Sequence, residues 1–302
     1  MRTAPLIVAC LAFGFAQPAS RVPGSANRAA APSPAPRDPR LVEPLSHVSS
    51  AAELFTTSAQ QYICRETLRQ RVIHPGVIRK LKKHGEPVVE GALRYDTRQI
   101  DSFYAFTTIG ASPAIHEVRQ IITVDKERLL KEDAARKLLR DTLLAHDDQD
   151  KGKLLGQFTD EAMNGVATDL GQLILLFEPR NIGKFAFELD REEPVGNLQC
   201  LVIRYTQTAG KESVHINENG KDIKESMQGW LWVTAPAGVP VRITVIASHK
   251  SGKQDTRDES EVDYATIPSG ALLPTSVLHR RYEDDILAAE DDFRYTGWQS
   301  LK

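Results

Sequence analysis

The chain has 302 residues, with 38 Lys plus Arg against 40 Asp plus Glu and a formal net charge of −2. So even a balance leaves no global field to draw the protein to nucleic acid or to an anionic membrane surface, and no nucleic-acid partner is expected. No apolar run reaches the roughly 20 residues that a membrane-spanning helix needs, so no transmembrane span is expected in the mature chain.

Met1 and Arg2 lead into an apolar run from Ala4 to Ala16 with small residues at Gly14 and Ala16. A basic start, a short apolar core and small residues at its end make residues 1–16 a secretory signal peptide cleaved near Ala16, which implies a periplasmic or secreted protein. Ile7-Val8-Ala9-Cys10 has the look of a lipobox. Cys10 lies within the apolar run instead of ending it, so plain cleavage is expected over lipid anchoring at Cys10. Residues 17–40 are Pro, Ala, Ser and Arg with hardly a large apolar group. Such a segment cannot bury enough surface to offset its ordering entropy and reads as a disordered tether. Residues 41–302 form a single domain.

Leu45, Val48, Ala52, Phe55, Ala59 and Tyr62 recur at steps of three and four, the spacing of one helix face. The helix runs into a strand from Tyr62 to Ile73, where Tyr62, Cys64, Leu68 and Val72 share one face and Arg65, Arg69 and Arg71 the other. The middle reads as helical, with apolar stripes over Lys126 to Ala145 and over Thr168 to Phe177. After Gly183 the pattern predicts strands at Lys184–Leu189, Leu198–Thr206, Ser213–Asn217, Gly229–Val233, Val239–Ser248, Thr256–Tyr264, Leu272–Tyr282 and Leu287–Tyr295. Turn signals separate several of them, of which Asn219-Gly220 is the most specific because type I′ hairpins need two residues that tolerate positive φ. The expected fold class is α+β, a curved antiparallel sheet forming an incomplete β-barrel with helices covering the concave face.

Once Cys10 leaves with the signal, Cys64 and Cys200 are the remaining thiols, and an even count in an oxidising compartment points to a disulfide between them. The eight histidines are scattered, with no pair at helical ligand spacing and no nucleophile motif, so neither a metal site nor a cofactor is expected. Asp147 to Gly152 fails the calcium-loop pattern, since Lys153 stands at the loop glycine and Thr159 at the terminal Glu; a solvated loop is expected. Arg79 to Lys83 reads as a solvated basic stretch. Glu283-Asp284-Asp285 and Glu290-Asp291-Asp292 offer paired carboxylates, but they flank an expected hairpin turn where the burial that raises a catalytic pKa is hard to obtain. Trp230 and Trp232 share a strand face and are the candidate lining of an apolar ligand site.

Tyr62-Ile63-Cys64-Arg65-Glu66-Thr67 after a helix, Gly229-Trp230-Leu231-Trp232-Val233 followed by Gly238-Val239-Pro240-Val241-Arg242, Leu273-Pro274-Thr275, and Glu290-Asp291-Asp292-Phe293-Arg294-Tyr295 together resemble exported bacterial proteins related to the LolA-like outer-membrane lipoprotein-sorting group. The resemblance covers mainly residues 60–75 and 165–302. It implies an unclosed antiparallel barrel plugged by helices, with an apolar cavity that accepts acyl chains. The Pro/Ala tether and a charged helical insertion around residues 126–153 depart from it. The expected function is a non-catalytic binding or carrier module for a lipid or other apolar ligand of the cell envelope. The alternatives are an envelope assembly or scaffold protein with a protein partner and no ligand, and a hydrolase using the surface carboxylates.

Overall fold

A computed structural model of the protein describes residues 8–12, 38–74, 77–80, 87–90, 94–110, 114–145, 148–163, 166–209, 213–218, 221–251 and 254–301. Eleven strands make the main sheet: β1 (Tyr62–His74), β2 (Arg94–Thr108), β3 (Ile115–Val124), β4 (Glu127–Arg128), β5 (Phe185–Val195), β6 (Leu198–Gln207), β7 (Gln228–Thr234), β8 (Pro240–Ser251), β9 (Gln254–Thr266), β10 (Leu272–Glu283) and β11 (Ile286–Ser300). Their order is β4-β3-β2-β1-β11-β10-β9-β8-β7-β6-β5, antiparallel throughout, so the sheet is a meander broken once, where the first strand pairs with the last. β4 and β5 are left as unjoined edges, and the barrel stays open.

Side-chain alternation sorts the sheet into two faces. Cys64 and Leu68 of β1, Tyr104 and Phe106 of β2, Ile203 and Tyr205 of β6, Leu231 of β7, Ile243 of β8 and Val262 of β9 meet in the main core. Asp38 caps the short 3-10 turn Pro39–Leu41 by accepting the Arg40 N–H at 2.9 Å. That turn feeds helix α1 (Val42–Ser58), which lays Leu45, Val48, Ala52 and Phe55 on this inner face. Each such side chain, fully buried, contributes about 1.5–3 kcal/mol for Val, Leu and Phe.

Beside α1 runs Val166–Phe177. The sequence predicts a helix over Thr168–Phe177; the structure has the strand Ala167–Thr168 and a 3-10 helix at Leu173–Phe177. Leu173, Ile174, Leu175, Leu176 and Phe177 are all buried, so the segment is enclosed and has no solvent face for a stripe to oppose. Its backbone donors bond to side chains of the sheet: the Asp169 and Gly171 N–H groups to Glu117, and the Ile174 N–H to Tyr264 Oη. Those bonds replace the ones an α-helix would make internally.

The opposite face of β1–β3 carries two more helices, α2 (Glu132–Leu144) and α3 (Asp148–Glu161), whose Ala135, Leu139 and Leu154 pack on Ile63, Phe103, Ala105, Val118 and Ile122. Toward the end of α3, Phe158 joins the main core instead. Three expectations change here. A β3–β4 turn with Asp125 and Lys126 at positive φ delays the helix start from Lys126 to Glu132. The acid-rich stretch expected to be a loop begins α3, where Asp148 and Asp150 in the first turn suit the positive end of the helix dipole. β2 and β3 fall in a stretch without any predicted strand, because Ser102, Glu117 and Arg119 interrupt the apolar alternation on their inner face.

A separate four-stranded sheet has the order Lys221–Glu225, Ser213–Glu218, Val8–Ala12, Ala167–Thr168. Asn219 and Gly220 lie outside the described residues, as does most of the expected tether; the strands that Asn219-Gly220 joins pair in hairpin register from Glu218 with Lys221. Val8–Ala12, within the expected signal, is the strand that joins Ala167–Thr168 to Ser213–Glu218. Val77–Lys80 and Pro87–Glu90 form a two-stranded ribbon, and residues 81–83 of the basic stretch are outside the description.

The expected Cys64–Cys200 disulfide is absent, since both thiols are free and buried. Cys64 on β1 is part of the main core, whereas Cys200 on β6 packs with Val202 and Trp232 in a small cluster on the outer face. Six strand spacings separate them, about 29 Å along the sheet. A disulfide needs Cα atoms within about 7 Å.

Candidate functional site

The inner face of the sheet is filled by the protein itself. Phe55 stands edge-on to Phe106 at 5.2 Å and to Tyr264 at 6.4 Å, and Phe177 edge-on to Tyr205 at 5.1 Å. The open space lies beside α1. The helix carries a second stripe, His47, Ala51, Leu54 and Ser58, one step round from its core stripe. This stripe faces the rim formed by Gly238–Pro240 of the β7–β8 connection and Ser269–Leu272 of the β9–β10 connection, and the two sides enclose a groove of about 460 Å³. Leu54 is 66% exposed at its mouth.

The β7–β8 connection holds the groove's shape. It contains a cis Ala235–Pro236 peptide and Gly238 at φ +67°. A Cβ on Gly238 would stand 2.9 Å from His47 Nδ1 and 3.1 Å from Pro44 Cα, so only glycine lets α1 approach. His47 Nδ1 donates to the Ala237 carbonyl at 2.8 Å. At the other end Tyr62 and Ser269 share a hydroxyl–hydroxyl bond of 2.6 Å.

Two buried polar networks also occupy the inner face. In the first, Arg119 Nε bonds Glu66 at 2.8 Å and Nη2 bonds Glu117 at 2.7 Å, while the guanidinium sits 4.4 Å from the Phe158 ring centre. Burial pushes the Glu117 carboxyl up against the pull of Arg119. Glu117 thereby fastens Val166–Phe177 to the sheet, and a Cβ at Gly171 would stand 2.8 Å from its oxygen. In the second network His279 meets Asp258 at 3.1 Å through Nε2 and Asp291 at 3.3 Å through Nδ1, and Arg281 bonds Asp258 at 2.9 Å. Burial opposes the charge on His279, but the two carboxylates outweigh it and hold the imidazole at about 9; Asp258, likewise against its burial, is held at about 2 by His279 and Arg281. These are struts: every ionised group has an ionic partner, and none lines the groove beside α1 or the cavity at Trp230. Among the described residues, no group of three or more His, Cys, Asp or Glu is placed to hold a metal ion.

The sequence-derived candidates are dispersed. Trp230 and Trp232 point away from α1, because Leu231 and Val233 take the inner positions of β7. Trp232 is nearly buried beneath Arg191 and Arg242, while Trp230 borders an outer-face cavity of about 200 Å³. Asp284 and Asp285 occupy the expected hairpin turn, both at positive φ, and Arg257 pairs with Asp285. Glu290 is held by Arg71 and Arg280, and Asp291 points inward as a buried strut. Glu259 and Glu261 line the outer cavity but are engaged by Arg257 and Arg242. Sequence reading misses the groove because His47, Ala51, Leu54 and Ser58 form a stripe too weakly apolar to stand out. It misses the buried struts as well. Their one signal is polar residues at core-parity positions, Glu66 between Cys64 and Leu68 and His279 after Val277.

No family model matches the sequence, and no curated protein matches it. Among solved structures the chain is similar to a putative outer membrane lipoprotein-sorting protein domain from Vibrio parahaemolyticus, with 7% identity, a TM-score of 0.36, and 85% of this chain and 91% of that one covered. It is also similar to a DUF1329 family protein from Desulfovibrio piger ATCC 29098, with 10% identity, a TM-score of 0.30, and coverage of 85% and 93%. Neither likeness bears on a ligand or a partner. No helix among the described residues is long and apolar enough to cross a membrane.

Proposed function

We propose that the protein is an exported, non-catalytic binding module for an apolar chain in the cell envelope, and that the chain lies in the groove between α1 and the sheet rim. The observation that carries this reading is the groove itself: about 460 Å³, with Ala51, Leu54, Val239, Pro240, Ala271 and Leu272 in its lining. That volume lies within the range of small-molecule sites, about 300–1,000 Å³, whereas the cavity at Trp230 falls below it. Export rests on the N-terminal pattern of Arg2, the apolar run and Ala16. Mass spectrometry of protein taken from the periplasm or medium is expected to show a chain beginning at Gln17.

The test is titration with N-phenyl-1-naphthylamine, an uncharged apolar fluorophore. Saturable binding is expected, lost when Ala51→Trp fills the groove and retained in Trp230→Ala. Absence of saturable binding rejects the reading. A second reading, an envelope scaffold without a ligand, is favoured by the aromatic packing of α1 and of Val166–Phe177 on the sheet; it predicts no binding and a protein partner recovered by crosslinking in the envelope.

A further inference from the structure

The groove contains polar groups, and His47 is the one basic side chain in its described lining. Asp, Glu, Lys and Arg are all missing from its described lining. Apart from Thr266 and from His47, which donates to the Ala237 carbonyl at the opposite end, its polar side chains gather where Ser58 and Gln61 close α1 and the turn after it, and Tyr62 meets Ser269. Whichever hydroxyl of the Tyr62–Ser269 pair donates to the other, one hydroxyl hydrogen remains for an acceptor on a ligand. This end is also the C-terminal end of α1, where the partial negative charge of the helix disfavours an anion. An ionised carboxylate or phosphate leaving water there would have no cation to pair with, at a cost that a hydroxyl or ester avoids.

Resting on the binding reading above, we infer that the groove selects an uncharged amphiphile: an acyl chain along Ala51, Leu54, Val239 and Leu272, with a hydroxyl or ester head against Tyr62 and Ser269. Free fatty acids and phospholipids are disfavoured by their charge.

The experiment displaces N-phenyl-1-naphthylamine from the full mature chain with 1-monopalmitoylglycerol, palmitate and palmitoyl-lysophosphatidylglycerol, each below its micelle concentration. At pH 8 the monoacylglycerol is expected to compete at a concentration at least about tenfold lower than either anion, the cost of about one unmatched charged contact. In the double variant of exposed Ser269→Ala and half-buried Tyr62→Phe, which keeps the ring, that advantage should shrink by about threefold or more. Equal or tighter competition by either anion overturns the inference, as does an advantage unchanged in the double variant. Failure of all three lipids to displace a saturably bound fluorophore overturns it while leaving an apolar site in place. Failure of the fluorophore itself to bind removes both.

Discussion

Glu66 Oε1 lies 2.8 Å from Arg119 Nε, and the two side chains, on β1 and β3, are 0% and 2% exposed. Between them runs β2, so the pair clasps three strands; Glu117 then extends the grip from Arg119 to the backbone of Gly171. Removing one partner leaves a buried charge without compensation, which costs about 3–5 kcal/mol. Arg119 serves two carboxylates, so Arg119→Met should fall at the upper end and Glu66→Gln lower, since Glu117 still holds the guanidinium. Urea unfolding of both variants checks the order. Equal losses would show that Glu117 contributes little.

The His279 network makes stability depend on pH from both sides. His279 is raised from 6.5 to about 9, so its contribution is complete below about pH 6.5 and is lost as the pH rises through 9. Asp258 is lowered from 3.8 to about 2, so its contribution is complete above about pH 4 and is lost as the pH falls through 2. The alkaline loss is on the order of 3 kcal/mol for a shift of this size. Urea midpoints at pH 6.5, 8 and 9.5 should fall in that order, and His279→Gln should flatten the trend while lowering the midpoint at pH 6.5.

Gly238→Ala brings a methyl group against His47 and Pro44 and puts a side chain at positive φ. The expected loss is about 1–3 kcal/mol, with α1 displaced from the rim. His47→Ala removes only an exposed hydrogen bond and should cost about 0.5–1 kcal/mol. Thermal melts of the two variants separate steric from hydrogen-bonding control of the groove. Fluorophore binding should weaken more in Gly238→Ala.

Reduction should leave the protein unchanged, because Cys64 and Cys200 are free thiols. Urea midpoints with and without dithiothreitol should coincide, and Ellman titration in denaturant should report every thiol without prior reduction. In native protein Cys64 should react very slowly, since burial pushes its thiol well up.

By itself the sequence determined the elements whose pattern is local. Periodicity placed α1 and its core stripe, and period-two alternation with turn residues placed every predicted strand from Lys184 to Tyr295, because each such strand carries its own inward and outward residues. The tertiary structure decided what alternation cannot encode. Leu231 or Trp232 can each fill the inner row of β7, and the neighbouring strands chose Leu231 by pairing it with Ile203 and Ile243. The same holds for the cysteines: Cys64 faces the core as its strand pattern implies, but its distance from Cys200 depends on the order of the intervening strands. β2, β3 and the enclosed Val166–Phe177 were hidden for a related reason, since Glu117 and Arg119 read as surface residues until a second segment brings the donors and carboxylates that permit their burial. The groove arises last, from the approach of α1 to a rim nearly 200 residues away, an approach that Gly238 permits and that no local pattern records.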